Sequence, residues 1–489
     1  MASDISPNSC RKFLDMSSGQ LQTRWGQFIP LVSVFFFWGF VAASNDILIP
    51  VFKKQFDLSQ GQSQLVSVAF YVAYTVGSLI YMAISFLSGR DIINRIGYKN
   101  GLALGLTISA LGTLLFYPAA NNESFPLMLS GLFIVGLGFS LQQVVANPLA
   151  IALGPISTGS QRLTLAGGIN NFGTTIGPLI VSYAIFGSGT AATADVSIES
   201  VKIPYLILGA AFMAVAILLK FSALPDTPQH PIADVSDTGR SALHYPQLVL
   251  GMIAIFVYVG VEVSTASNLP DYMEKYIGFE TREIAPFISL YWASLMIGRW
   301  TGALEAFNLK GGLEKILKFI APYLAFAVFL SVNAIAGHDV DRFLVYAAVI
   351  LVLIIADIAS KGHPARMLLI FSLCGIAALI TGMLTDGMVS VYAFISVGLF
   401  CSTLWPCIFT LAISGLGRET NQGSNFLIMM IMGGGIVSWL QGVVADETNI
   451  KFSYIVGVAC FLYLAVYAWK SGSILRSQGI RFDKSGVGQ

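Results

Sequence analysis

The run "FFFWGFVAASNDILIP" (35–50) is apolar and aromatic until it reaches Asn45 and Asp46. A charged side chain at the centre of a membrane-inserted helix costs about 2.5–3.5 kcal/mol, so a carboxylate in such a run is a candidate for taking up and releasing protons. Glu262, in "VYVGVEVSTASN", Arg299, in "LMIGRWTG", and Asp357 are the other ionisable groups standing clearly inside apolar runs. Glu262 and Arg299 fall on neighbouring helices, and an ion pair that only ties those helices together accounts for them as well as a ligand site does. Asp357 stands near the end of its run, where an interfacial charge would. Amides supply a second chemistry. Gln142, Gln143 and Asn147 share one run, with Gln143 and Asn147 four apart and hence on one helix face. Asn170 and Asn171 stand in the next run. Such amides tie helices together, and they also offer the donors and acceptors that a polyhydroxylated ligand needs. Trp38, Tyr71, Tyr74, Tyr291 and Trp292 could present ring faces to the C–H surfaces of that ligand or serve as packing.

The elements that would position these residues follow from composition. The 489 residues are 55% hydrophobic and 11% charged, with a mean hydropathy of +0.74; a soluble domain carries about 25% charged residues. Apolar runs of about 20 residues, each able to cross a bilayer as a helix, recur near 28–50, 64–88, 101–119, 126–154, 163–187 and 203–224, then near 246–267, 284–304, 313–337, 343–360, 368–387, 388–414, 423–445 and 452–471. The chain reads as an all-α polytopic membrane protein of fourteen spans. A Pro-, Asp- and Ser-rich stretch at 225–245 divides a 28–224 bundle from a 246–471 bundle, and polar tails occupy 1–27 and 472–489. With the N-terminus inside, only Lys53, Lys54, Lys202, Lys275, Arg282, Arg342 and Lys451 of 27 basic residues fall at outer ends.

The five cysteines show neither metal-ligand spacing nor a disulfide framework; Cys374, Cys401, Cys407 and Cys460 lie in apolar runs. No metal site, nucleophile elbow or phosphate loop stands out, His230, His244 and His363 fall in predicted loops, and His338 lies at a short turn. An enzyme is therefore disfavoured, and no cofactor or nucleic-acid partner is expected.

The halves repeat. "FSLQQVVANPLAIALGPISTGSQRLTLAGGINNFGTTIGPLI" (139–180) and "FCSTLWPCIFTLAISGLGRETNQGSNFLIMMIMGGGIVSWL" (400–440) each hold a proline within a span (Pro148, Pro406), a polar loop with one arginine (Arg162, Arg418) and a Gly-rich span. Two parallel repeats facing a central site would order the chain this way. Six plus six core helices leave two surplus spans, which the order of the repeat places as an inserted hairpin at about 311–360.

The chain resembles the fucose:proton symporter family of the major facilitator superfamily, and its glucose/galactose transporter branch in particular. The resemblance is carried by "WGFVAASNDILIPVFKK" (38–54), "QQVVANPLAIALGP" (142–155), "AGGINNFGTTIGP" (166–178), "FVYVGVEVSTAS" (256–267), "ISLYWASLMIGRWTG" (288–302) and "GSNFLIMMIMGGGIV" (423–437). It implies twelve core helices in two six-helix bundles and a proton-coupled importer of a monosaccharide, glucose, galactose or a related hexose, working by alternating access. The family's ND motif stands here as Asn45 and Asp46, which implies that Asp46 carries the proton. Asn170 matches a sugar-contacting position. The candidate substrate-binding set is Trp38, Asn45, Gln142, Gln143, Asn147, Asn170, Glu262 and Asn425.

Two departures stand out. Gln143 replaces the glutamate that fucose permeases carry before their helix-four NP, and the superfamily signature reads "SGRDIINRIGYKNG" with Asn94 at its acidic place. Fucose, mannose and N-acetylglucosamine stay open as substrates, sodium stays open as the coupling ion, and a non-transporting sugar sensor on the same scaffold is a rival; a polar lining speaks against an efflux carrier. The resemblance further implies a monomer in a cell membrane, a bacterial inner membrane, with both termini cytoplasmic.

Overall fold

The computed structural model describes residues 23–88, 96–153, 159–186, 202–224, 242–303, 312–361, 363–416 and 420–480, and among these it contains helices, turns and no strand. The first half runs through α1 (Trp25–Gln55), α2 (Gln60–Ser63), α3 (Leu65–Ser88), α4 (Tyr98–Leu114), α5 (Phe116–Asn121), α6 (Phe125–Ala152), α7 (Gly159–Phe186) and α8 (Lys202–Phe221). The second runs through α9 (Pro246–Tyr272), α10 (Thr281–Ala303), α11 (Gly312–Ile335), α12 (Tyr346–Ser360), α13 (Pro364–Leu384), α14 (Gly387–Cys401) and α15 (Leu404–Ile413). It ends in α16 (Thr420–Met429), α17 (Gly433–Glu447), α18 (Ile450–Ser453) and α19 (Ile455–Ser477). Each of the fourteen expected spans meets helix. Among the described residues twelve helices are long and apolar enough to cross a membrane. The other two expected spans fall on α7 and α10, 28 and 23 residues long, whose sequences carry the amides of "INNFGTT" and the charges Arg282, Glu283 and Arg299. The chain is a multi-pass membrane protein. The signature residues 89–95, most of the 225–245 stretch and residues 481–489 lie outside the described residues.

Local sequence explains where helices start and break. Pro246 and Pro364 open α9 and α13 at the first helical position, where the missing N–H costs nothing. Pro406 has no N–H for the carbonyl of Ser402 four residues back, and the chain turns at Ser402 and Thr403 between α14 and α15. A short 3-10 turn at Met430–Met432 separates α16 from α17, just before Gly433–Gly435.

The helices pack in matching pairs. In the first half α1 lies along α7, α6 packs on α3 and α4, and α4 packs on α8. In the second half α9 lies along α17, α14 packs on α10 and α13, and α13 packs on α19. The pairs correspond one for one, and they leave α11 and α12 without counterparts. Helix α11 packs on α10, and α12 lies against α13. Polar stitches fasten these two: the hydroxyls of Tyr346 and Ser294 are 2.8 Å apart, and Tyr323 donates to the Ala347 carbonyl at 3.3 Å.

Glycine permits the closest crossing. A Cβ added at Gly39 would overlap the carbonyl of Asn170, and one added at Gly173 would overlap that of Phe36, so α1 and α7 meet backbone to backbone. Replacing Gly39 with Val is expected to destabilise the protein by roughly 1–3 kcal/mol, seen as a lower melting midpoint in detergent. Gly26→Ala on the same helix meets open space and is expected to leave the midpoint unchanged.

Candidate functional site

Several amides of the first half already have partners on neighbouring helices. Trp38 is 5% exposed and Gln142 fully buried. The Trp38 indole donates to Gln142 Oε1 at 2.9 Å, and Gln142 Nε2 donates to the Ser109 hydroxyl at 3.1 Å. Both residues expected to bind substrate thus form a network joining α1, α6 and α4, and a buried network of this kind fixes helix positions. Gln143 and Asn147 are half-buried, and Gln143 hydrogen-bonds the buried hydroxyl of Tyr74 on α3. Asn170 Nδ2 donates to the Phe35 carbonyl at 2.9 Å, beside the Gly39 crossing.

Asn45 and Asp46 belong to α1, but their side chains lie outside the described residues. Helix α1 continues to Gln55, five residues beyond the apolar run, so Asp46 stands nine residues, about 14 Å, from its end.

In the second half, Glu262 sits on α9 with its Oε2 buried and without a hydrogen-bond partner among the described residues. The hydroxyl of Tyr258, one turn earlier, adjoins the carboxylate. Arg299 of α10 lies close enough to act on Glu262 electrostatically. The expected ion pair is not formed, because two neutral acceptors hold the guanidinium aside. Its NH1 donates to Asn171 Oδ1 on α7 at 2.9 Å, and its Nε reaches the Ser402 carbonyl at 3.4 Å, the carbonyl that Pro406 leaves without an intrahelical donor. Asn171 Nδ2 and Thr403 Oγ1 are also buried without hydrogen-bond partners among the described residues. The two halves also meet at a small cleft lined by Ser78, Tyr81, Met82, Val144, Asn425 and Ile428. Asn425 is followed by Phe426 just as Asn171 is by Phe172, each in its own half's Gly-rich region.

A second set of contacts crosses between the halves where α1 and α9 finish, and the sequence did not single it out. Lys53 pairs with Asp271, which Lys275 also approaches at 3.0 Å, and Lys54 pairs with Glu274 at 2.9 Å. Asp446, near the end of α17, accepts the backbone N–H groups of Gln60 and Gly61 at 2.9 and 2.7 Å, holding the start of α2. Gln60 Nε2 donates to Asn268 Oδ1 at 2.9 Å, and Gln64 Nε2 to the Ser267 carbonyl at 3.3 Å. One signal was available: Ser264, Ser267, Asn268 and Asp271 recur at helical spacing, marking a polar stripe along α9.

The mirrored helix pairs and the polar residues between them belong to a known architecture. The sequence profile of the Major Facilitator Superfamily matches residues 28–352. The chain belongs to that superfamily. Within it, the chain is 32% identical over 439 residues to the glucose/galactose transporter of Brucella abortus biovar 1 (strain 9-941), covering 89% of this chain and 92% of the relative. It is 28% identical to the L-fucose-proton symporter of Escherichia coli (strain K12), covering 93% and 95%. The crystal structure of the superfamily transporter FucP, in the outward conformation, superposes with a TM-score of 0.61 at 26% identity, covering 91% of this chain and 98% of that one.

Proposed function

We propose that this protein imports a monosaccharide, a hexose of the glucose/galactose type, by proton symport with alternating access. The observation that carries this is identity of 32% with a glucose/galactose transporter across 89% of the chain. The polar groups on both halves support it, since each buried hydroxyl of a sugar must find a donor or acceptor. Asp46 carries the proton. Gln143, Asn147, Asn170 and Asn425 bind the sugar together with Asn45, while Trp38 and Gln142 act on it by holding α1 against α6. The N- and C-terminal segments face the cytoplasm, the bundles of 28–224 and 246–471 rock against each other, and α11–α12 form the inserted hairpin. All fourteen long helices cross the bilayer, α7 and α10 shielded by their neighbours, and the protein works as a monomer.

The test is sugar-evoked alkalinisation outside lightly buffered proteoliposomes, across glucose, galactose, mannose, fucose and N-acetylglucosamine. Alkalinisation with glucose or galactose is expected. Response to fucose alone would move the substrate assignment, and silence with every sugar despite binding would sink symport.

A further inference from the structure

We propose that Glu262 is a second proton-binding group of the transport cycle, governed by whether Arg299 reaches across to Asn171 or turns to the carboxylate. This rests on the symport reading above and deepens it. The buried oxygen of an ionised carboxylate is sustained only by donors or a paired cation; Glu262 is half-buried, and its buried Oε2 has no hydrogen-bond partner among the described residues, with the Tyr258 hydroxyl beside the carboxylate. The nearby cation is engaged elsewhere. Its NH1 hydrogen bond ends on Asn171 Oδ1 of the other half.

The bond from Arg299 to Asn171 crosses between α10 and α7, helices that pack along each other across the two halves. Any movement that parts those helices must break it. Once released, Arg299 is already on the helix beside Glu262, and pairing with the carboxylate expels the proton that Glu262 held while the guanidinium was engaged. The proton enters from water on one side and leaves to water on the other, so the step balances without a co-reactant. The neighbours of Glu262 are few. Tyr258 stands on its own helix, and Tyr291 of α10 donates to the Glu262 backbone carbonyl at 2.6 Å. Cys401 of α14 lies within electrostatic reach, with Cys460 of α19 behind it. From α17 the facing residue at Gly260 is Val437.

Infrared difference spectra of the purified, reconstituted protein between acidic and alkaline pH test this without any sugar. A protonated-carboxyl band is expected that Glu262→Gln lacks. Asn171→Leu, which removes the cross-half acceptor and frees Arg299, is expected to move that band's midpoint down by about 1–3 pH units. In transport, E262Q is expected to lose accumulation driven by a one-unit pH gradient, about tenfold for each proton no longer carried. A spectrum unchanged in E262Q or accumulation unchanged in E262Q would each overturn the proposal. Should E262Q fail to purify as monodisperse protein, N171L decides alone: a midpoint that stays put overturns it. Absence of counterflow with every sugar in the unmodified protein would instead overturn the transport reading and leave the infrared result to stand by itself.

Discussion

Asp46→Asn is expected to abolish sugar-evoked alkalinisation while leaving sugar binding within about threefold, less than 1 kcal/mol, of the unmodified protein. The amide matches the carboxylate in size and still offers an acceptor, so helix α1, which runs unbroken from Trp25 to Gln55, has no reason to rearrange. What is lost is the ability to change charge. A proton moving down 100 mV supplies about 2.3 kcal/mol, which supports roughly fifty-fold accumulation; without it, uptake falls to equilibration. Position argues for the same role. Asp46 stands about 14 Å from the end of α1 by the helical rise, on the helix that crosses α7 at Gly39 and is held there by the Asn170 to Phe35 bond. A proton bound or released at Asp46 therefore acts on a helix that touches the amide set directly. Alkalinisation persisting in D46N would move the coupling elsewhere, and loss of binding together with coupling would make Asp46 a sugar ligand. The carboxyl band assigned to Glu262 is expected to survive in D46N, which separates the two acids.

Apolar length located the twelve helices that, among the described residues, are long and apolar enough to cross a membrane, because crossing a bilayer leaves few other ways to satisfy a backbone. The order of prolines, arginines and glycines in 139–180 and 400–440 anticipated the matching of α6 and α7 with α14 to α17. Partnerships between side chains were harder to read. Trp38 and Gln142 each looked like a ligand group alone, and only the approach of α1 to α6 shows that they hydrogen-bond each other. Glu262 and Arg299 looked like a pair because they lie on consecutive helices. The competing acceptors, Asn171 from the other half and the Ser402 carbonyl freed by Pro406, are more than a hundred residues away in sequence. Asp271 and Asp446 stand at span ends, where acids are common in any membrane protein, so neither is marked by itself. Their role is visible only when the ends of α1, α9 and α17 are brought together with the start of α2.

Removing Asp446 is expected to open that end of the bundle more than removing any lysine there. Magnitudes decide the order. Lys54 is 59% exposed and Glu274 34% exposed, and a surface pair of this kind contributes about 0–1 kcal/mol. The Lys53–Asp271 pair is better shielded, with side chains 21% and 9% exposed, yet Asp271 keeps Lys275 as a substitute cation if Lys53 is lost. Asp446 has no such replacement: its two oxygens accept two backbone N–H groups at the start of α2, a capping arrangement whose loss costs about 0.5–2 kcal/mol. The seam beneath it, Gln60 to Asn268 and Gln64 to the Ser267 carbonyl, is made of amides and a backbone carbonyl that water can satisfy equally well once the cap is released. Asp446→Ala is therefore expected to raise the population open at this end by about 3- to 30-fold, Lys54→Ala by less than about 5-fold. The reporter is the maleimide labelling rate of Ser267→Cys in detergent, a position 1% exposed in the closed arrangement. Equal labelling of S267C with and without Asp446→Ala would show that the halves are held at this end by something other than the cap, and a larger effect from Lys54→Ala would reverse the ranking.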